Sequence, residues 1–504
     1  MDGSSPVSAS PPPGPGQYIF NYGYNAGGQR VSLQMPSGAT VNYTYDTNGH
    51  VSAVSVNIAG VTTPILNTVT YEPFGAVRGW TWGNGASAIR SHNADGDASV
   101  ISTTGLHVSF QYDNAQRASA ISDFDNSTLN WSYGYDLLDR LVSASGASQS
   151  LGWTYDADGN RLTQTGSTAH TYTYDPSSNH VLRRDLENSD ELYDASGNPA
   201  TFNSDVIDFD AEGNESYYGE LLYTNGQRQR VTAYSPTSTT PDRLVFDDDG
   251  HVVGKYHIDT SSPTLNLIPE EETIYLGDTP VAVLMGQATY DNNGGYLGTQ
   301  QILYYAQADH LNTPRRLTRP SDNVVVWRWD SDPFGNGQPN GNPEGGSTWV
   351  TYSARFPGQV YDLYSGSYYN WHRDYDPQSG RYIESDPVGL KGGVNTYAYV
   401  RGNPISRRDP LGLQDQTPAG NPSGLNDRGQ AACDAADSQA NAEQKAADAR
   451  AKGNDAESQR LKAEAERDRN DYYNWLRLFQ NPNLSEPTPD ELRNKGNSES
   501  PNGP

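Results

Sequence analysis

Residues 131–161 read WSYGYDLLDRLVSASGASQSLGWTYDADGNR. One phrase occurs twice in this stretch: an aromatic, a spacer, Tyr-Asp, then polar residues closing on Asp-Arg or Gly-Asn. Aromatic-x-Tyr alternates with period two, the pattern of a strand with one buried face. Asp followed by polar residues and Gly is turn chemistry, because the side chain bonds nearby backbone and Gly accepts positive φ. A second run, RLVSASG at 140–146, leads away from the first turn. Each phrase is a β-hairpin whose aromatic face it cannot bury alone.

The same phrase recurs along the chain. Tyr-Asp pairs begin at Tyr45, Tyr112, Tyr135, Tyr155, Tyr174 and Tyr193, the last four spaced by 20, 19 and 19 residues. Degenerate copies carry Phe209 and Phe246 in place of Tyr. Self-similarity at a fixed spacing predicts stacked hairpins that build one long continuous sheet. Helix signals are absent from 17 to 410.

Composition bounds the rest. The chain has 504 residues, room for several domains or one large repeat array. Only 34% of residues are hydrophobic, and 34 Tyr and 9 Trp supply much of that share, which suits thin layers rather than a thick core. A net charge of −27 argues against nucleic-acid binding by the repeats and against anionic membrane surfaces. No run of 18 apolar residues exists, so no transmembrane segment is expected. Residues 1–16, Pro-rich, lack the basic and apolar regions of a signal peptide and read as a flexible leader. The single cysteine, Cys433, excludes disulfide scaffolds and Cys-rich zinc sites. The nine histidines form no close-spaced pair, and neither a G-x-S-x-G elbow nor a Walker loop occurs. No cofactor and no metal are expected.

Between 301 and 413 the text becomes denser: DHLNTPRRLT (309–318), FPGQVYDLYSGSYYN (356–370), RDYDPQSGRYIESDP (373–387) and NPISRRDPLGL (403–413). Asp-Pro-x-Gly stands at Asp386 and again at Asp409, with a further copy at Asp332 and a relative at Glu72. From residue types alone each is a type I turn. His310 reads as structural.

The Tyr-Asp array and these four marks together resemble the Rhs/YD-repeat family, which includes Rhs proteins, the B and C components of insecticidal toxin complexes and the teneurin shell. The resemblance implies an all-β, spirally wound YD-repeat shell over 17–300, a core over 301–413 that closes it, and a hollow interior. It also implies an intramolecular aspartyl protease with Asp386 and Asp409 as the acid pair, Arg373 as their partner, and a cut between Leu413 and Gln414. The chemistry is coherent, since two neighbouring carboxyls share one proton and can act as base and acid together.

After Leu413 the composition changes. A polar linker precedes Ala-, Glu-, Lys- and Arg-rich sequence from about 430, which predicts helices broken near Gly453-Asn454 and a disordered Pro- and Asn-rich end. The family carries a variable cargo at this place, commonly a toxin. The 414–504 segment has no histidine, which disfavours His-dependent nuclease chemistry, and Cys433 reads as a small buried residue. The resemblance implies synthesis in the bacterial cytoplasm followed by export or delivery. Expected partners are the chain's own C-terminal peptide, an immunity protein, and a second YD-repeat chain or delivery component. The array starts without a plug or delivery domain, so either the chain is a fragment or a partner completes the enclosure. Two other functions compete: a non-enzymatic surface protein whose repeats bind glycans or proteins, and a degenerate Rhs remnant.

Overall fold

The computed structural model describes residues 20–416, apart from 167–168, 186–189, 203–204, 211–212, 219, 226, 235–241, 260–265 and 292–295. The expected leader, the helices after 430, the disordered end and Cys433 lie outside the described residues. Among the described residues, one compact unit takes in those up to Asn93, Ala98–Pro387 and those from Tyr397 onward. Ala94–Asp97 and Val388–Thr396 belong to a second unit, in which Gly389–Gly392 form a short 3-10 turn.

The first unit is all β. A 16-stranded sheet runs from Asn21–Tyr24 to Val181–Arg184, and a 12-stranded sheet from Thr201–Phe202 to Val325–Arg328. A 4-stranded sheet joins Val360–Tyr361, Tyr368–Asn370, Arg373–Asp376 and Arg381–Tyr382. Within each sheet the described strands pair with their neighbours in sequence, antiparallel and without crossover. The single continuous sheet expected from the repeat is therefore two large sheets. Backbone bonds span the interval between them: the Glu191 N–H donates to the Leu182 carbonyl at 2.8 Å, and the Ala200 N–H to the Leu192 carbonyl at 2.7 Å.

The repeat unit has a physical basis in two kinds of bond. The first closes the turn. In each of Asp46, Asp113, Asp136, Asp156 and Asp194, Oδ1 accepts from the backbone N–H two and four residues on, at 2.8–3.1 Å. Asp247, Asp309 and Asp332 do the same. The third residue after the aspartate takes positive φ. It is Gly in many copies but Gln116 (φ 60°) and Asp139 (φ 62°) in others, where the carboxylate bonds hold the left-handed turn without a glycine.

The second bond ties one repeat to the last. The hydroxyls of Tyr45, Tyr112, Tyr135, Tyr155 and Tyr174 donate to the carbonyls of Arg30, Ala98, Ala118, Leu141 and Arg161 at 2.6–2.9 Å. Each acceptor is the first residue of the strand that leaves the preceding turn. Where Arg follows the turn, it adds a staple. Arg140 bonds Asp136 Oδ2 at 2.7 Å and the Asp156 carbonyl at 2.8 Å, with its guanidinium 4.8 Å from the Tyr155 ring.

The two large sheets pack on each other through apolar faces. Val41, Val56, Leu66 and Trp82 of the first share a core with Ile274, Val281, Leu284 and Tyr305 of the second, and Trp82 stacks on Tyr305 at 4.6 Å. The small sheet touches both. Arg184 pairs with Asp376 at 2.7 Å on one side, and Arg230 pairs with Asp374 at 2.7 Å on the other.

Tyr135→Phe removes the donation to Ala118 while keeping the ring and should cost roughly 1 kcal/mol. Asp136→Ala strips the acceptors for two amides and Arg140 together and should cost roughly 2–3 kcal/mol. Urea denaturation of the two variants checks this order, and a larger loss for Tyr135→Phe contradicts it.

Candidate active site

The site begins at a tight turn. Asn370 pairs with Arg373 across a two-residue loop, Trp371-His372, in which Trp371 takes φ 53°. An aromatic residue in that region is strained and persists only when its surroundings hold it. Here Trp371 Nε1 donates to the Gln227 carbonyl at 3.1 Å, and the indole lies so close over Gly250 that a Cβ there would sit 2.4 Å from the ring. Turns of the 12-stranded sheet thus fix the loop that presents Arg373.

Arg373 is 4% exposed and reaches the chain's later segment through its guanidinium. Nη2 lies 2.9 Å from Asp386 Oδ2 and 3.4 Å from Asp409 Oδ2, and Nε donates to the Gly412 carbonyl at 2.6 Å. The Tyr382 ring backs the guanidinium at 3.7 Å. The three residues expected to meet, Asp386, Asp409 and Arg373, are together and buried.

Asp409 is held through both carboxylate oxygens. Oδ1 accepts from the Leu413 N–H at 3.0 Å, and Oδ2 accepts from the Tyr382 hydroxyl at 2.8 Å. Burial pushes its carboxyl above the usual range, against the opposing pull of Arg373, Tyr382 and the Leu413 amide. The peptide unit Gly412–Leu413 is therefore gripped at both ends, by Arg373 on its carbonyl and Asp409 on its N–H. The expected cut at Leu413–Gln414 is the next bond along.

The segment lies in a slot with no room for side chains on its backbone. Gly412 takes φ 67°, and a Cβ there would meet the Asn370 carbonyl oxygen at 2.3 Å. Gly358, φ 83°, lies against the Pro410 carbonyl, which a Cβ would meet at 1.9 Å. Asn370 Nδ2 donates to the Asp409 carbonyl and to the Tyr382 hydroxyl, each at 2.8 Å. Burial holds His372 below its ordinary pKa, so the ring is neutral and donates Nδ1–H to the Leu411 carbonyl at 2.9 Å. A cavity of about 240 Å³ flanks Pro410, Leu411 and Gln416, with the buried polar side chains of Gln359 and Arg408 in its wall, and has room for water.

Asn370, Tyr382 and His372 were not singled out from sequence. Asn370 and Tyr382 sit within the quoted marks and His372 between two of them, but a Tyr among many and an Asn before a turn carry no distinguishing pattern. His310, read as structural, is packed on Phe110 at 4.3 Å and bonds the Ile405 carbonyl at 2.8 Å.

Behind Arg373 lies a second charged group. Arg230 pairs with Glu215, with Asp374 at 2.7 Å and with Asp362 at 3.2 Å, and the Asp374 N–H donates to Glu384 at 2.8 Å. One guanidinium cannot neutralise so many buried carboxylates, so protons stay on. Burial, aided by Asp374, pushes Glu215 well above the carboxylate range and Glu384 up to about 8. Glu215, Asp374 and Glu384 have ligand oxygens within 4.8 Å of one another and could hold a cation, as could Asp247, Asp249 and His251. In both groups an arginine, Arg230 or Arg30, already supplies positive charge.

Comparisons agree with this architecture. Residues 95–218 match the family described as Teneurin YD-shell. The toxin protein Tse5 of Pseudomonas aeruginosa is 27% identical over 375 residues, covering 60% of this chain and 27% of that protein. The probable deoxyribonuclease RhsB of Dickeya dadantii is 52% identical over 58 residues, 12% of this chain and 4% of that one. The crystal structure of TcdB2-TccC3-Cdc42 superposes with a TM-score of 0.67 at 19% identity, over 79% of this chain and 22% of that one. These likenesses support a place for the chain in the Rhs/YD-repeat family. The chain spans less than half the length of the curated relatives it matches. Its fold is the all-β YD-repeat architecture shared with that toxin complex. No helix among the described residues is long and apolar enough to cross a membrane.

Glu384 gives the folded chain a pH dependence. The folded chain holds the Glu384 proton up to about 8, whereas an unfolded glutamate releases it near 4.5, so the folded state binds the extra proton between these values. Stability should therefore fall as pH rises through that window. The midpoint of thermal unfolding should drop between about pH 6 and pH 9, and Glu384→Gln should shrink the drop. An equal drop in the variant contradicts the assignment.

Proposed function

We propose that this chain is a self-cleaving Rhs-type protein. An aspartyl site at Asp386 and Asp409 hydrolyses the Leu413–Gln414 bond and frees the polypeptide from Gln414 onward as enclosed cargo for delivery. The β-structure over 17–300 and the core over 301–413 act as its container, and a second YD-repeat chain or delivery component and an immunity protein are its partners. The observation that carries this reading is the Arg373 guanidinium, which bonds both carboxylates and the Gly412 carbonyl beside the bond to be cut.

The chemistry follows from that geometry. Water adds to the Leu413 carbonyl carbon. The ionised member of the acid pair takes the water proton, and the protonated member donates to the carbonyl oxygen. Collapse of the adduct breaks the C–N bond, the proton passes to the Gln414 nitrogen, and the products are the Leu413 carboxyl and the Gln414 amine. Burial favours Asp409 as the protonated member. The shorter contact of Asp386 with Arg373 favours it as the ionised one. The proton nonetheless belongs to the pair. The substrate is already in place, so proximity replaces binding and each molecule turns over once.

Expressed full-length chain should run as two fragments on a denaturing gel, with the mass of the smaller beginning at Gln414. Asp386→Asn and Asp409→Asn should each leave one intact band. Arg373→Lys keeps the charge but loses the fork and should slow the cut by about 100-fold. A single band from the unmutated chain overturns the reading. A small fragment that begins at Leu413 moves the cut to the gripped peptide unit.

A further inference from the structure

The acid pair and Arg373 hold the chain only up to Leu413. A different set of side chains holds it immediately beyond. Asp415, its side chain 7% exposed, accepts from Arg401 Nε at 3.1 Å and from Arg407 Nη1. The next residue is fixed through its backbone. The Arg408 N–H donates to the Gln416 carbonyl at 2.9 Å, and the Gln416 N–H donates back to the Arg408 carbonyl at 2.6 Å. Arg408 is in turn anchored to the 12-stranded sheet through Asp278 at 2.9 Å.

The backbone that presents Arg401 is itself constrained. Val400 (φ 43°), Arg401 (φ 55°) and Gly402 (φ 74°) lie in succession in the left-handed region. A β-branched residue there is a steric outlier. Tyr399 and Val400 are 1% and 2% exposed, so packing holds the turn in place. Strain of this kind persists where surrounding structure over-determines it. Its result here is a guanidinium aimed at one carboxylate that a second arginine already holds.

We propose that Arg401 and Arg407 form a carboxylate clamp for the second residue after the cut. This inference rests on the self-cleavage reading. The clamp and the Arg408–Gln416 rung fix the downstream side of the Leu413–Gln414 bond, as Asp409 and Arg373 fix the upstream side, leaving one residue between the two anchors. Arg401 and Arg407 are positioning residues, and their ion pairs with the side chain at position 415 set the rate of the cut. After hydrolysis the same contacts retain the new N-terminal end of the cargo without a covalent bond. Both arginines are partly exposed, so salt weakens that retention.

The test compares fragment formation over time in full-length chains. Asp415→Asn, and the pair Arg401→Glu with Arg407→Glu, should each slow the cut by about tenfold, the effect of losing a charge-assisted bond. Asp415→Glu should cut at close to the unmutated rate. Adding Asp415→Arg to the two glutamate substitutions should restore most of the rate, which a purely structural role would not do. An Asp415→Asn chain that cuts at the unmutated rate overturns the clamp, as does failure of both Asp415→Glu and the charge swap. A second measurement separates this from the fate of the protease. In an Asp386→Asn chain, amide exchange at Gln416 should be slow and should speed up on adding Asp415→Asn, whether or not any chain cuts. Unchanged exchange overturns the clamp, whereas slow exchange in a chain that never cuts upholds the clamp as an anchor and sinks the protease alone.

Discussion

The aspartate of each Tyr-Asp pair closes a turn by accepting two backbone amides, and the tyrosine beside it reaches back to the preceding strand. Everything else in the molecule depends on that pairing. A chain with so modest a supply of aliphatic residues cannot bury a deep core. It substitutes a bond between successive repeats, made by a side chain whose ring also packs. Because the acceptor is the first carbonyl of the previous outgoing strand, the tyrosine measures one repeat length. Insertions are absorbed in the strands and loops between, and the rungs remain.

Much of this was legible in the residues. Period-two alternation gave the strands, and Asp with Gly gave the turns. The hydroxyl ladder was not legible, because a pattern of residue types carries no record of which carbonyl a tyrosine meets. Gln116 and Asp139 show the same limit from another side: neither residue advertises a left-handed turn, and only the bonds of Asp113 and Asp136 make one tolerable there.

The candidate site repeats the local grammar for another purpose. Asp409 accepts the amide of Leu413 four residues on, as repeat aspartates do at their turns, and its burial beside Arg373 changes what the carboxyl can do. The family resemblance implied that Asp386, Asp409 and Arg373 would converge, where residue types alone gave only turns. It did not announce Asn370 or Tyr382, whose contributions arise from the hairpin register, nor the slot that Gly358 and Gly412 leave open. Such residues act through backbone shape, which composition does not encode.

Strictly sequential strand pairing has a consequence in time. A meander has no strand that must wait for a distant partner, so pairing can follow the chain as it leaves the ribosome, rung after rung. The parts that surround Leu413 come last in that order: the turn at Trp371, then Asp386, then Asp409. Any chemistry they perform is therefore scheduled after the walls exist, with the order of synthesis acting as a clock.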